Sequence, residues 1–452
     1  MSSAADDALA TVRTVLAGRH LIWFGIRGED GEALLRVPEL SSSFSIIAKL
    51  RSSSLPERSN VSLEGLTGVR EDLDTYDIDD PGSRTADVVD FRRRLLNEVS
   101  GPCVMVTYRP SALVSALAFA KADTMTLAGL YKDRQQAFEH KPWVETSLAN
   151  RGVRGLGWTY VADEHRHLAR RHLHDGPQVV RANRSSGGVG IALARTEEEL
   201  EANWPEQQEA FVGLAPYLSP TVPLNFSGCV FPDGTVRLHP ASVQLVGIPS
   251  CTDRPFGYAG NDFGALKFFD RKILEELDNL GRTVGAWLHH ERYEGVFGVD
   301  ALVHNGAVHF TEINARFQGS SALSARVARE VDVPDLFLDH LAATLGVAPD
   351  GDGMSITEWA SMQPDLSKLV VHNTSGTQVT HDPSTQLPDL RHGVRLDQLP
   401  STDTVIRPDG VLGSLTFSRS VTESGFAVDD AVSDLAHGVA TAYVPAAAAD
   451  LA

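Results

Sequence analysis

The sequence contains little cysteine. Only three cysteines occur among its 452 residues, and none of them forms a Cys-x-x-Cys pair. An odd number of cysteines without paired spacing gives no disulfide framework. We therefore expect Cys103, Cys229 and Cys251 to be small side chains buried in the core.

Basic residues are scarce relative to acidic ones. Lysine and arginine total 40, whereas aspartate and glutamate total 59, which gives a formal net charge of −19. A protein that binds nucleic acid broadly needs a basic face, so nucleic acid is not an expected partner. A local basic pocket for phosphate is still compatible with this charge.

Long apolar runs are absent. No run approaches the roughly 20 residues that a membrane-spanning helix requires. The N-terminal segment 1–7 is polar and acidic and lacks the apolar core of a signal peptide. We therefore expect a soluble, cytoplasmic protein without a membrane partner.

The first third of the chain alternates strand and helix patterns. Apolar runs at 20–26 and 103–108 predict buried strands, and the patterns at 88–99 and 110–122 predict helices. Strands that alternate with helices predict a parallel α/β sheet. We place this sheet in a domain that spans residues 1–136.

The middle third predicts antiparallel hairpins. Strands are expected at 179–182, 191–195, 224–230, 236–246, 296–303 and 308–313, with an amphipathic helix at 272–290. The first two strands flank a glycine-rich loop and read as a flap, and Thr196 can cap the helix that follows. Asn305-Gly306 is a strong signal for the turn between the last two strands.

The last predicted hairpin carries acidic and amide side chains. Asp300 lies on its first strand. Period-two alternation puts Glu312, Asn314 and Arg316 on one face of the second strand, so two carboxylates and an amide oxygen converge. Mg²⁺ prefers such oxygen ligands and shares them with nucleotide phosphates, and Arg316 can neutralise a transferring phosphoryl group. The alternative is the exposed polar face of an edge hairpin.

A glycine-rich loop, Ser185-Ser-Gly-Gly-Val-Gly190, follows Arg181 in the flap. Backbone N–H groups of such a loop approach phosphate oxygens closely, and the preceding cation can contact the same phosphates. An ordinary flexible hairpin is the alternative. Lys141, ahead of a predicted helix that ends near Gly152, is another candidate cation, and its alternative is a plain surface lysine.

These motifs, taken in order, resemble the ATP-grasp superfamily. The series consists of Lys141, Arg181 with its glycine loop, Asp300 and Glu312-x-Asn314-x-Arg316. The last strand is the most specific part, and the likeness covers roughly residues 137–345. It implies an α/β protein of ATP-grasp fold, in which residues 1–136 form the N-terminal parallel α/β domain. An ATP-grasp domain at 137–349, with a glycine-loop lid at about 142–211, precedes a small β-rich domain at 350–452.

The resemblance also implies ATP and Mg²⁺ as cofactors, and it implies roles for residues of this chain. Mg²⁺ would be held by Asp300, Glu312 and Asn314, and the catalytic residues would be Arg316 and Arg181. The ATP-binding set would be Lys141, Arg181, Ser185, Ser186, Gly187, Gly188, Gly190, Tyr217 and Leu218. Two positions depart from the family pattern. Arg181 stands where a lysine is usual, which preserves the charge, and the hinge stretch Gly213-Leu-Ala-Pro216 lacks the usual glutamate.

Within the superfamily, the sequence favours a carboxylate–amine ligase. Ser242-Val-Gln244 resembles the Ser-x-Gln of the biotin carboxylase branch, but the following Leu245-Val-Gly-Ile-Pro249 lacks that branch's basic run for bicarbonate. The tail from 350 resembles the C-terminal domain of some peptide-forming members of secondary metabolism. The predicted reaction joins a small carboxylic acid, such as an amino acid or peptide, to an amine through an acyl-phosphate, with release of ADP and phosphate. The resemblance is also compatible with a homodimer.

Candidate substrate residues lie mainly in two polar segments, 250–262 and 318–321. Arg254 can pair with a substrate carboxylate, and Tyr258 can pack on it. A plain surface loop and simple helix capping are the respective alternatives for these segments. The full candidate set is Asn225, Gln244, Arg254, Tyr258, Ser320 and Ser321.

Three other functions are weighed against the ligase. An ATP-using carboxylase is disfavoured by the missing basic run after Gln244. A non-catalytic nucleotide-binding homologue is suggested by the altered hinge and by Arg181. A nicotinamide-dependent oxidoreductase would rest on Gly25, Gly28 and Gly31, whose spacing is incomplete for a dinucleotide-binding loop.

Overall fold

The computed structural model describes residues 3–70, 78–79, 84–183, 187–205, 211–390 and 393–446. Its N-terminal part alternates helices and strands, with 3-10 helices at Gly28–Arg36 and Glu57–Ser59. The elements are α1 (Ala4–Leu16), β1 (His20–Arg27), β2 (Leu40–Ile47), β3 (Asn60–Ser62), α2 (Leu63–Thr67), β4 (Val69–Arg70), α3 (Ala86–Glu98), β5 (Cys103–Thr107), α4 (Ala112–Ala120), β6 (Met125–Ala128), α5 (Lys132–Phe138) and α6 (Lys141–Ala149).

The N-terminal strands form a parallel sheet in the order β3-β2-β1-β5-β6. The parallel α/β sheet expected from the alternating patterns is therefore confirmed. Because parallel strands end at the same edge, the residues that end β1 and those that follow β5 lie side by side. This carboxyl edge is where open α/β sheets bind ligands.

The glycines near the end of β1 are explained by packing. A Cβ atom on Gly28 would overlap the backbone carbonyl of Lys49, and one on Gly25 or Gly31 would lie 2.7 Å from the indole ring of Trp23. Each position therefore needs glycine for close approach. The buried Trp23 and the neighbouring backbone account for all three glycines.

The middle of the chain builds two antiparallel arrangements. Its elements are β7 (Thr159–Ala162), β8 (Gln178–Ala182), β9 (Ile191–Ala194), α7 (Glu197–Ala202), β10 (Phe211–Pro216), β11 (Val222–Val230), β12 (Val236–Val246), β13 (Tyr258–Asp262), α8 (Arg271–His290), β14 (Gly295–His304), β15 (Ala307–Asn314), α9 (Ser321–Glu330) and α10 (Leu336–Thr344). Further 3-10 helices lie at Asp163–Asp175 and Gly264–Phe268. The small sheet has the order β7-β10-β8-β9, and β8 pairs with β9 as the predicted flap. Thr196 caps α7, as its sequence position indicates.

The last part of the chain extends the central sheet. It contains α11 (Ile356–Met362), β16 (Ser367–His372), β17 (Val379–His381), β18 (Val394–Asp397), β19 (Val405–Ile406), β20 (Val411–Phe417), α12 (Asp430–Ala440) and β21 (Tyr443–Pro445). The central sheet runs β15-β14-β11-β12-β13-β16-β20-β18, and a smaller sheet runs β21-β17-β19-β4. Hydrogen-bonded strands thus continue across the boundary that we predict at residue 350.

An aromatic cluster joins the N-terminal sheet to the segment after β15. Trp23 lies edge-on to Phe317 at 6.0 Å, and Phe317 stacks on Phe337 at 4.5 Å between ring centroids. Tyr108 stacks on Phe317 at 6.4 Å. This packing fixes the position of the sheet's carboxyl edge relative to the end of β15.

Two sequence-based expectations concern burial and membranes. The three cysteines are free and buried, as expected. Across the parts of the chain that the structure describes, no helix is long and apolar enough to cross a membrane.

A buried histidine, His340 on α10, bridges strand β6 of the N-terminal sheet and strand β14 of the central sheet. Its Nδ1 accepts a hydrogen bond from the Val296 N–H at 3.0 Å, so its Nε2–H donates to the Ala128 carbonyl at 3.1 Å. Burial lowers the pKa of His340 to about 4, although the Ala128 carbonyl favours the protonated ring. The imidazole is therefore neutral in the folded protein at neutral pH.

We expect acid to destabilise the fold through His340. Because its folded pKa lies below the unfolded value of 6.5, the unfolded chain binds the proton first, and stability falls as the pH drops from about 6.5 to about 4. The loss from this group is about 3 kcal/mol at the lower end. When the free energy of unfolding is measured with urea across this pH range, it should fall less steeply with decreasing pH for His340→Gln than for the wild type. The slope should not change for His290→Gln, which alters an exposed histidine at the end of α8, and equal slopes for His340→Gln and the wild type would contradict the assignment.

Candidate active site

A cleft of about 1360 Å³ lies between three parts of the structure. The β14–β15 hairpin forms its floor, the β7–β10 sheet with the glycine loop covers it, and the carboxyl edge of the N-terminal sheet closes one end. The 250–262 segment and residues after 370 line the opposite wall, including His372, Asp409 and Phe426. The candidate residues can be placed relative to this cleft.

The acidic hairpin faces the cleft. Asp300 on β14 pairs in register with Glu312 on β15, and Gly298 pairs with Asn314. The tight turn that permits this register uses positive φ angles of 50° at Asn305 and 70° at Gly306. The two carboxylates and the amide therefore converge, as the alternation of the sequence predicts.

Asp300 is held by a network of amide side chains. The Asn225 Nδ2 donates to Asp300 Oδ1 at 2.6 Å, and the Gln244 Nε2 donates to the same oxygen at 3.0 Å. The Asn314 Nδ2 donates to Oδ2 at 3.2 Å. Asn225 in turn accepts a hydrogen bond from the Ser320 hydroxyl at 2.6 Å. Neighbouring strands and the start of α9 thus orient this carboxylate.

The electrostatics of the two acids differ. Burial, followed by repulsion from Glu312, raises the pKa of Asp300 to about 6. For Glu312, burial also opposes ionisation, but the nearby Lys141, then Arg181 and Arg316, outweigh it and lower the pKa. Glu312 is therefore the firmly ionised member of the pair.

Lys141 contacts the acidic pair directly. Its Nζ lies 2.8 Å from Glu312 Oε2, and the side chain is only 9% exposed. The structure makes Lys141 the first residue of α6, whereas the sequence places it just ahead of the helix. A buried lysine in an ion pair differs from the surface lysine that was the alternative.

Arg181, on the flap strand β8, belongs to a compact polar cluster. Its Nη2 donates to Glu145 Oε1 at 2.5 Å and to the Tyr160 hydroxyl at 3.0 Å. Its guanidinium stacks 3.6 Å from the centroid of the Trp158 ring. These partners are not predictable from the sequence motifs, because Glu145 and Trp158 lie far from Arg181 along the chain and belong to no motif.

The glycine loop reaches the 250–262 segment. Gly187, Gly188 and Gly190 have φ angles of 58°, 83° and 70°. A Cβ atom on Gly188 would overlap the carbonyl oxygen of Phe256. Gly187 and Gly188 line the cleft, whereas Ser185 and Ser186 lie outside the described residues.

The predicted hinge residues also border the cleft. Tyr217 and Leu218 follow β10, and the Tyr217 N–H donates to the Pro177 carbonyl at 2.9 Å. Leu302 and Phe310 from the β14–β15 hairpin line the same cleft. These residues provide an apolar surface suited to a planar ring.

The candidate substrate residues fall into three groups. Asn225, Gln244 and Ser320 belong to the network around Asp300. Arg254 forms an ion pair with Asp409 at 2.6 Å, and the Tyr258 hydroxyl donates to Asn261 Oδ1 at 2.5 Å, while both side chains line the cleft. Ser321 is buried, and its hydroxyl accepts from the Gln318 N–H at 2.8 Å, a local contact at the start of α9.

Two arginines at the carboxyl edge of the N-terminal sheet are absent from the site residues predicted from the sequence. Arg27 ends β1 and Arg109 follows β5, and both line the cleft together with Arg316. Burial, followed by repulsion from Arg109, lowers the pKa of Arg316. The available signal was position, since each residue comes at or just after the end of a parallel strand.

No protein-family model matches the sequence, and a search of curated proteins gives no match. Solved structures do match. The biotin carboxylase domain of Hydrogenobacter thermophilus 2-oxoglutarate carboxylase, solved as a dimer, has a TM-score of 0.60 at 14% identity over 88% of this chain and 86% of that one. N5-carboxyaminoimidazole synthetase from Staphylococcus aureus, solved with ADP, has a TM-score of 0.56 at 11% identity over 93% and 97%. Biotin carboxylase from Campylobacter jejuni has a TM-score of 0.55 at 13% identity over 91% and 85%.

These proteins are ATP-grasp enzymes. The chain therefore has the ATP-grasp fold, as the order of its motifs predicts. At 11–14% identity, the likeness shows the fold alone.

Proposed function

We propose that this protein is an ATP-dependent carboxylate–amine ligase that uses Mg²⁺ and forms an amide bond through an acyl-phosphate. The observation that carries the proposal is the cluster of Asp300, Glu312, Asn314 and Lys141 on the floor of the cleft. Two carboxylates that repel each other, next to a lysine, suit a site for a metal ion and polyphosphate.

The donor set fits Mg²⁺. Within the described residues, no group of three or more histidine, cysteine, aspartate or glutamate side chains is placed to hold a metal ion. Asp300, Glu312 and the Asn314 amide offer few protein ligands, which suits an ion that keeps waters and substrate phosphates in its shell. Burial and repulsion from Glu312 disfavour an ionised Asp300, and a cation would offset both effects. Bound there, Mg²⁺ would neutralise charge on the transferring phosphoryl group.

The side chains around the cluster divide the remaining tasks. Lys141 and Arg181 would bind the phosphates of ATP, and the loop at Gly187 and Gly188 would cover them. The apolar surface at Tyr217 and Leu218 would hold the adenine ring. The substrate carboxylate would attack the γ-phosphorus in line, and ADP would leave.

Arg316 would stabilise the acyl-phosphate, which then reacts with the amine to give an amide and inorganic phosphate. Arg316 follows β15, two residues after the proposed metal ligand Asn314. The covered cleft would exclude water, which otherwise hydrolyses the acyl-phosphate. We further propose that the acid is an amino acid or a peptide and that the reaction serves specialised-metabolite biosynthesis.

Hydroxylamine tests the acyl-phosphate, because it can replace the unknown amine. We expect a panel of amino acids and short peptides, with Mg·ATP and hydroxylamine, to yield the hydroxamate of the true acid with one ADP per product. Omitting the acid is the control for uncoupled hydrolysis. Hydroxamate that forms with AMP and pyrophosphate would contradict an acyl-phosphate.

A carboxylase is the second candidate function. Gln244, in the Ser-x-Gln sequence that resembles carboxylases, bonds to Asp300 in the cleft, and two of the three matching structures named above are biotin carboxylases or biotin carboxylase domains. The segment that follows Gln244, however, lacks the basic run. ADP release that depends on bicarbonate, and does not respond to any acid in the panel, would favour this function over the ligase.

A further inference from the structure

Three guanidinium groups gather at the end of the cleft that the N-terminal sheet closes. Arg27 ends β1, Arg109 follows the adjacent parallel strand β5, and Arg316 follows β15. Tyr108 is their common neighbour. Burial, followed by Asp30, raises the pKa of Tyr108 to about 12, while Arg27, Arg316 and Arg109 act in the opposite direction. All three cations therefore lie within electrostatic reach of one phenol.

The arginines are well shielded from water. The side chain of Arg27 is 15% exposed and that of Arg109 is 8% exposed. The ion pair between Arg27 and Asp30 spans 3.8 Å, which is longer than the roughly 2.7–2.9 Å of a charge-assisted hydrogen bond. By contrast, Lys141 approaches Glu312 to 2.8 Å. Asp30 thus lies near Arg27 without forming a short hydrogen bond to its guanidinium group.

The charge balance at this end favours a singly charged ligand. Asp30 lies near Arg27, and Glu139 lies 3.6 Å from Arg109. These two acids offset two of the three guanidinium charges, so the cluster as a whole keeps one net positive charge. A planar carboxylate matches the fork of a guanidinium, and it suits this balance better than a doubly charged phosphate.

We propose that one of the two substrates carries a carboxylate that does not react, and that Arg27 and Arg109 bind it at the carboxyl edge of the N-terminal sheet. This inference rests on the proposed function and narrows its substrates. The acid is a dicarboxylate, or the amine is an amino acid with a free carboxylate. In either case the anchored group leaves the reacting atoms beside Arg316 and the metal-binding residues.

Binding of paired probes to the whole protein tests the inference. A comparison of glutarate with butyrate tests whether the acid substrate is bound through a second carboxylate. A comparison of alanine with alaninamide tests whether the amine substrate is bound through a carboxylate. Calorimetry is done with and without Mg²⁺ and a non-hydrolysable ATP analogue. We expect the charged member of at least one pair to bind at least about tenfold more tightly, as hydrogen bonds to a charged group provide.

Arg27→Gln should abolish that preference, and Arg27→Lys should retain part of it. Arg19→Gln is the matched control, because Arg19 lies at the opposite end of β1 and bonds to Thr126 and to local carbonyls. No preference in either pair, or a preference that survives in folded Arg27→Gln, would overturn the inference. Failure of the ATP analogue to bind the wild type would instead count against the proposed function. The probe pairs measured without nucleotide would still show whether Arg27 and Arg109 bind a carboxylate.

Discussion

Glu312→Gln should reduce turnover by at least about 100-fold, the scale of losing one strong electrostatic contact in an active site. The substitution keeps the size of the side chain and removes its charge. Glu312 is the firmly ionised carboxylate of the pair, because Lys141, Arg181 and Arg316 lower its pKa against the effect of burial. Without it, Asp300 alone supplies a negative charge to the metal and Lys141 loses its partner.

The fold should tolerate this change. Loss of the Lys141 ion pair is unfavourable, but loss of the repulsion between Glu312 and Asp300 is favourable, so we expect a similar melting temperature. Glu276→Gln is a matched control, since Glu276 accepts a hydrogen bond from the Val308 N–H at the other end of β15. A folded Glu312→Gln variant that turns over like the wild type would refute the assignment of the site.

Gly188→Ala should reduce activity by about 10- to 100-fold with little change in global stability. Gly188 has a φ angle of 83°, and an added Cβ would overlap the carbonyl oxygen of Phe256. Because the Phe256 carbonyl is a backbone group and cannot rotate aside as a side chain could, the loop must move away from the 250–262 segment. The displaced loop would expose the acyl-phosphate to water, so ATP hydrolysis should become less coupled to product.

The neighbouring glycine provides the control for this prediction. Gly187 also has a positive φ angle, 58°, but a Cβ there would meet nothing within 4 Å. Gly187→Ala therefore carries only the conformational cost, about 1 kcal/mol. Steady-state ADP release and product formation should separate the two variants, and equal activities would show that the Gly188–Phe256 contact is unimportant.

The parts of the site that depend on local patterns could be predicted from the sequence. Alternation of Glu312 and Asn314 and the Asn305-Gly306 turn are enough to bring Asp300 and Glu312 together, because strand period and turn geometry are local properties. The prediction that Arg316 lies on the same strand is wrong, since β15 ends at Asn314 and the chain bends after it. The parallel N-terminal sheet followed in the same way from alternating strand and helix patterns.

The parts that depend on distant packing could not be predicted. Arg27 and Arg316 line the same cleft because Trp23 packs on Phe317 and joins the N-terminal sheet to the segment after β15. Nothing near either arginine in the sequence specifies that packing. Likewise, β13 pairs with β16 across more than 100 residues, so the central sheet continues into the last part of the chain. Such pairings are selected by burial in the whole fold.

ADP release from Mg·ATP by the wild-type protein, measured against a panel of acid–amine pairs drawn from amino acids and short peptides, decides whether the protein is a ligase. We expect one class of pair to stimulate ADP release, an amide to form in equal amount, and Glu312→Gln to lack both. Release of AMP, or ADP release that requires only bicarbonate, would contradict the proposed ligase.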